Sequence, residues 1–383
     1  MHSTFLRREH IHGLMLGVAI GDALGLPREN LCRRLSLRMF GRGPLRYQLL
    51  SQLGICSDDT QLMLLTAQAL LRSRSDEKSF QRIFQKRLSW YLLSFPVGAG
   101  RATLLAAAKS WLAGLGLPSG VNSAGNGAAT RALISALALH GTGYRLSRWV
   151  AESTKLTHTH PLATDGCQVL AALADHAATC KPAQFDPTAA LEIAVAASSL
   201  PEIRDKLHEL RGFLQQRRSP SSVARHFGWD NQISGYIVPT TVMATYCWLR
   251  SPNDFRRAVT SAVMLGGDTD SVAAIVGGLV GAHVGAQQLP PELVKGLYGY
   301  PHGAAWIAKM AERLSHWPHG TDDLHSAPAQ PTRPLGQVLR NLLTAAVILP
   351  HVLYRAIYRG KTDCTPRRLR GLSPAPPASS APR

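Results

Sequence analysis

The chain predicts an all-α protein, and three observations carry that reading. Ala, Leu and Gly dominate its 383 residues while aromatic residues make up only 7%, a composition suited to helices whose backbones approach closely. Alternating runs rich in Val, Ile and Thr, the mark of half-buried strands, do not occur. Helix-period segments recur instead from end to end, separated by short stretches of Gly, Pro and Ser. At 45% hydrophobic and 17% charged residues, there is ample apolar material for a large core, and general disorder is excluded.

In chain order the pattern predicts helices over residues 13–23, 60–72, 80–94, 101–112, 128–140 and 146–154. It continues with 163–179, 188–199, 202–215, 238–249, 255–265 and 271–284. Residues 61–71 and 272–284 are apolar nearly all round, which marks helices buried inside a bundle. The connections are short and no unit of about 20–50 residues repeats, so a solenoid is not expected. From about Ser326 the composition turns to Pro, Ala and Arg. The expected organisation is a main domain over 10–318, a linker and amphipathic helix over 319–364, and a disordered basic tail over 365–383.

Lys and Arg number 42 against 24 Asp and Glu, a formal charge of +18 that attracts anionic partners. The surplus is uneven. Residues 331–383 hold nine Lys or Arg and one acid, which is +8 and leaves +10 for the other 330 residues. No basic stripe interleaved with aromatics appears, so specific nucleic-acid binding is not expected. The segment 338–357 is apolar, but its longest uncharged stretch, 341–354, is 14 residues, short of the roughly 18–20 needed to span. An amphipathic helix that docks on the body or on an anionic membrane surface fits it better. Arg7 and Arg8 precede an apolar run, yet His12 and Asp22 bracket it, against a secretory signal. The six cysteines, at 32, 56, 167, 180, 247 and 364, form no metal-type spacing. They read as reduced thiols of a cytoplasmic protein.

The acidic residues carry the chemistry, because they are few and oddly placed. Ser57-Asp58-Asp59-Thr60 opens one apolar helix, and Gly266-Gly267-Asp268-Thr269-Asp270-Ser271 opens another. A helix N-cap accounts for one carboxylate in each place but not for two. Four carboxylates brought together would repel unless a cation held them. Asp and Ser oxygens specify a hard ion, Mg²⁺ or Mn²⁺, and the number of donors suits two ions. Two independent caps lying far apart is the alternative.

Together with Gly17-Val18-Ala19-Ile20-Gly21-Asp22-Ala23-Leu24-Gly25, Gly125-Asn126-Gly127 and Thr157-His158-Thr159-His160-Pro161, these motifs resemble the ADP-ribosylglycohydrolase family over about residues 10–315. The resemblance implies a compact all-α fold, a binuclear Mg²⁺ or Mn²⁺ centre, and release of ADP-ribose from a modified protein or a small ADP-ribosyl compound. It implies metal ligation by Ser57, Asp58, Asp59, Asp268, Asp270 and Ser271, and places Glu29, Asp59 and Asp268 at the reacting bond. Gly125, Asn126 and Gly127 would face the diphosphate, since a glycine loop at a helix start presents N–H groups. His158 would lie near the ribose, with the weaker claim going to His160, and Tyr236 would line the nucleoside pocket. Departures from the family pattern are Ile237-Val238-Pro239 after Gly235-Tyr236, and Ala129-Thr130 before Arg131. A non-catalytic ADP-ribose-binding or structural relative is the alternative function, which the intact aspartates argue against. The basic tail lies outside the shared region, so its removal is expected to leave hydrolysis of a small substrate unchanged.

Overall fold

The computed structural model describes residues 2–50, 52–73, 76–142, 145–299, 301–317 and 334–359. Its helices are α1 (His2–Gly25), α2 (Arg33–Phe40), α3 (Asp58–Ser73), α4 (Glu77–Leu93), α5 (Arg101–Lys109) and α6 (Ala129–Leu139). These are followed by α7 (Leu146–Lys155), α8 (Pro161–Thr179), α9 (Pro187–Ala197), α10 (Pro201–Gln215), α11 (Pro220–His226) and α12 (Ile237–Leu249). The last are α13 (Phe255–Val263), α14 (Thr269–Val284), α15 (Pro291–Gly296), α16 (Ala304–His316) and α17 (Pro334–Arg359). Among the described residues extended structure is limited to isolated bridges and two two-residue pairings: β1 (Leu31–Cys32) antiparallel to β3 (Gly266–Gly267), and β2 (Gly54–Ile55) parallel to β4 (Leu297–Tyr298). The all-α expectation therefore holds.

Glycine sets the centre of the bundle. Gly13, Gly17, Gly21 and Gly25 stand one turn apart on α1 and face α14 along most of its length. A Cβ on Gly17 would lie 2.0 Å from the Gly277 carbonyl oxygen, and one on Gly281 would lie 2.0 Å from that of Gly13. Only bare backbone permits this approach, and it fixes where each helix ends relative to the other. Asp22, near the C-terminal end of α1, thereby lies beside the N-terminal end of α14. Beside this pair, α6 and α12 are buried almost completely, as α14 itself is and as their all-round apolar sequences require.

Four elements escaped the periodic reading: α2, α11, α15 and α16. α2 (sequence RRLSLRMF) buries only Leu35 and Ser36, too few residues to establish a period. The predicted helix over 101–112 is divided, passing into a 3₁₀ helix at Ser110–Leu115. The cysteines also depart from expectation. Cys56, Cys167, Cys180 and Cys247 are free, but Cys32 is disulfide-bonded. The expectation of six reduced thiols is thereby corrected at Cys32. The expected disordered tail, 365–383, lies outside the described residues.

Candidate active site

The mouth of α3 is shaped by a carboxylate from another helix. Asp22 is wholly buried, and it accepts the Ser57 backbone N–H (2.8 and 3.0 Å to its two oxygens) and the Thr60 N–H (3.1 Å). The Thr60 hydroxyl donates to the same carboxylate at 2.5 Å. These bonds satisfy donors that every helix leaves orphaned in its first turn. Asp58 and Asp59 are thus freed from capping duty, and the Asp59 N–H points instead at Ser57 Oγ (3.4 Å).

The mouth of α14 is stitched by backbone. Gly266 and Gly267 have φ of +75° and +85°, a region that glycine alone adopts freely. A Cβ on Gly267 would lie 2.0 Å from the Ile233 carbonyl oxygen. The Asn30 N–H donates to the Gly267 carbonyl (2.7 Å), the Asp268 N–H to that of Ile233 (2.8 Å), and the Thr269 hydroxyl to that of Gly25 (2.8 Å). Asp268 occupies the N-cap position without capping α14; its carboxylate accepts the Asn126 amide at 2.6 Å. The two mouths meet directly, because Ser271 Oγ donates to Asp59 Oδ2 at 2.7 Å. Thr130, at the start of α6, adds a bond to the Asp59 carbonyl (3.2 Å).

The glycine loop forms the third side. The Asn126 N–H donates to the Gly235 carbonyl (3.0 Å), and its side-chain amide reaches Thr240 Oγ1 (3.0 Å) as well as Asp268. Gly125 bridges to Tyr236, which is 42% exposed at the rim. The loop leads into α6, whose N-cap residue, Ala128, supplies no capping side chain. His158 is buried behind this loop; a Cβ on Gly127 would lie 3.1 Å from its ring and one on Gly125 3.3 Å. His160 does something else: its ring nitrogen accepts the Leu162 N–H and caps α8. Glu29 follows a short 3₁₀ turn beside the Gly267 stitch, half-buried, with Asn30 Nδ2 donating to its carboxylate (2.8 Å).

Crowded carboxylates raise one another's pKa. Burial, then Asp22, Glu29 and Asp268, pushes Asp58 up to about 8. Burial and Asp268 push Glu29 to about 7, with Arg355 opposing. Asp59 is raised by burial and by Asp58, and Asp270 by burial, Glu29, Asp268 and Asp59. His158 moves the other way, down to about 3, because burial and the Arg131 guanidinium both disfavour its cation. It is therefore a neutral imidazole.

The donors suit a hard divalent ion. Asp270 Oδ1 is buried with no hydrogen-bond partner, and every other donor in the set is also oxygen. Among the described residues no three His, Cys, Asp or Glu side chains stand close enough together to hold a metal ion by themselves. A spread of carboxylate and hydroxyl oxygens fits an ion that keeps several of its waters, as Mg²⁺ does.

Three features here were not anticipated from the sequence. Asp22 fixes the α3 mouth through contacts 35 and 38 residues away. Arg131, wholly buried over the Phe84 ring, donates to Thr157 Oγ1 (2.5 Å) and the Ser153 carbonyl (3.3 Å), setting the turn that carries His158. The C-terminal helix does not stand apart either. Arg340 of α17 donates to the Cys56 carbonyl (2.5 Å), and Arg355 donates to that of Glu29 (2.5 Å). Deleting it would remove one hydrogen bond from each of the loops that carry Cys56 and Glu29.

The fold and this site define a helical hydrolase class, and residues 3–323 match the ADP-ribosylglycohydrolase family. The chain belongs to that family. It is 27% identical to the ADP-ribosyl-[dinitrogen reductase] glycohydrolase of Rhodospirillum rubrum, over 73% of this chain and 86% of that protein. It is 28% identical to an ADP-ribosylarginine hydrolase of Pseudomonas putida, over 79% of this chain and 76% of that one. A solved structure described as an ADP-ribosylglycohydrolase-related protein complex superposes with a TM-score of 0.60 at 27% identity, covering 81% of this chain and 99% of that one.

Proposed function

We propose that this enzyme is a divalent-cation-dependent hydrolase that releases ADP-ribose from a modified protein side chain by cleaving the glycosidic bond at the ribose anomeric carbon. The Ser271–Asp59 hydrogen bond carries the reading, since it makes one site of two acid-bearing helix mouths. Ser57, Asp58 and Asp59 would hold Mg²⁺ or Mn²⁺ from α3, and Asp268, Asp270 and Ser271 from α14. Bound ions would supply positive charge for ribose hydroxyls and acidify a water.

The remaining work falls to the chain's own residues. In the Gly125–Gly127 loop the Gly125 and Asn126 N–H groups are taken by Ser123 Oγ and the Gly235 carbonyl, which leaves Gly127, at the uncapped start of α6, to offer an N–H to the diphosphate. Neutral His158 backs that loop. Tyr236 presents an exposed ring at the rim for a nucleoside. Glu29, raised by burial and by Asp268 when no cation is bound, is the carboxyl group proposed to assist departure or attack at the anomeric carbon. Asp59 and Asp268 keep their orientations through Ser271 and Asn126.

Two of the relatives are named for ADP-ribosylarginine, so that linkage is the first to try. The test is a panel of arginine-linked, serine-linked and O-acetyl ADP-ribose substrates, each with Mg²⁺, Mn²⁺ or chelator. Cation-dependent release of free ADP-ribose from at least one is expected. No release from any, by folded protein, would overturn the proposal.

A further inference from the structure

Helix α17 is amphipathic the wrong way round. Its polar side faces the protein: Arg340, Asn341, Thr344 and Arg355 are buried. They are held by bonds from Arg340 to the Cys56 carbonyl, from Asn341 to the Ser94 carbonyl and hydroxyl, and from Arg355 to the Glu29 carbonyl. His351 meets the Pro27 carbonyl at 2.9 Å, and Gln337 donates to Gln61 Oε1 at 2.9 Å. At about 100° per residue these positions form one row, and the opposite row is Leu335, Leu339, Leu342, Leu349, Leu353 and Ile357. Every member of that apolar row is exposed, from 52% at Leu342 to 85% at Leu335.

An apolar stripe running the length of a 26-residue helix, about 39 Å, is far more than scattered surface leucines. We propose that α17 is a peripheral membrane-binding element that lies in the plane of an anionic bilayer surface, its leucine face in the lipid and its polar face on the enzyme. Charge selects this occupant. Residues 331–383 carry nine Lys or Arg against one acid; Arg359 ends the helix, and Lys361, Arg367, Arg368 and Arg370 come after it in the sequence. Anionic headgroups attract such a segment. Two copies of this chain, each at +18, repel. Pro350, inside the helix, also works against a coiled coil. The helix is long and apolar enough to cross a membrane, but crossing would put Arg340 and Arg355 into hydrocarbon and break their bonds to the enzyme. The segment lies beyond the family match, which ends at residue 323, so the surface belongs to this chain's own extension.

Flotation of the full-length protein with vesicles tests this, using phosphatidylcholine alone and phosphatidylcholine with phosphatidylglycerol. Binding to the anionic vesicles should exceed binding to the neutral ones at least tenfold and weaken with salt. The variant Leu339→Glu/Leu349→Glu/Leu353→Glu changes only exposed positions, so its circular dichroism should match the wild type while vesicle binding falls at least tenfold. Leu339→Met/Leu349→Met/Leu353→Met should bind like the wild type. Equal binding to both vesicle types, or undiminished binding of the Glu variant, would overturn the proposal. So would a dimer in sedimentation velocity that the Glu variant abolishes while vesicles stay unbound, or retention in membranes after carbonate washing.

Discussion

The two helix mouths that build the site look alike in sequence and are held by different means. At α3 the fixing element is a side chain, with buried Asp22 taking up the first-turn donors. At α14 it is the backbone, with Gly266 and Gly267 stitched to Leu31, Cys32 and Ile233, while Asp270 Oδ1 is left without a partner. Position along the chain therefore says little about what an aspartate does. Asp22 is satisfied and structural. Asp270 keeps one buried carboxylate oxygen without a hydrogen-bond partner.

The largest effect expected from this contrast is on turnover. Asp58→Asn or Asp268→Asn should lower kcat by about a hundredfold or more, the scale of losing several kcal/mol of charge stabilisation, while the helical circular dichroism stays unchanged. Near-normal turnover in both variants would remove the cation from the reaction. Asp22→Ala should instead be lost first as a folded protein. It strands the Ser57 and Thr60 donors in a buried place, at about 1–3 kcal/mol for each unmade bond, with a fall in Tm of several degrees. Asp22→Asn keeps an acceptor oxygen and should recover part of that fall. If Asp22→Ala melts like the wild type, the division of labour between the two mouths is wrong.

A smaller effect separates the mouths by pH. Glu29 at about 7 and Asp58 at about 8 lie above ordinary carboxylate values, so the folded state holds more protons than the unfolded one from about pH 4 to 8. In chelator, the stability these groups contribute is complete below about pH 4 and drains away as pH rises through 7 and 8. Saturating Mg²⁺ should flatten or reverse that slope, because the ion competes with protons for the same oxygens. Thermal melts at pH 5, 6.5 and 8, with and without cation, read it directly. A chelated protein that grows more stable across this range contradicts the assignment.

Much of this arrangement was legible in the sequence, and the gaps have physical causes. The apolar runs of α3, α6 and α14 announce buried helices, and paired acids at apolar helix starts announce a shared site. Asp22 could not be read for its role, because a carboxylate in an apolar helix shows its partners only once α1 and α3 are packed together. Arg131 was hidden in the same way, its hydrogen-bond partners lying 22 and 26 residues on. The inversion of α17 was beyond sequence as well. Periodicity shows that a helix has two faces, and only contacts such as Arg340 to the Cys56 carbonyl show which face is turned inward.

Melting of wild type and Asp270→Asn in Mg²⁺ or Mn²⁺ and in chelator tests most directly whether the two mouths, α3 braced by Asp22 and α14 by backbone, hold a cation between them. A ligand bound only by the folded state stabilises by about 2.7 kcal/mol at a hundred times Kd. The wild type should gain about 2–4 °C, or more if two ions bind tightly. Asp270→Asn should lose most of that gain, yet in chelator melt at or above the wild type, since one buried, repelling and unpartnered carboxylate has gone. A wild type whose Tm is indifferent to both cations would contradict the account at its centre.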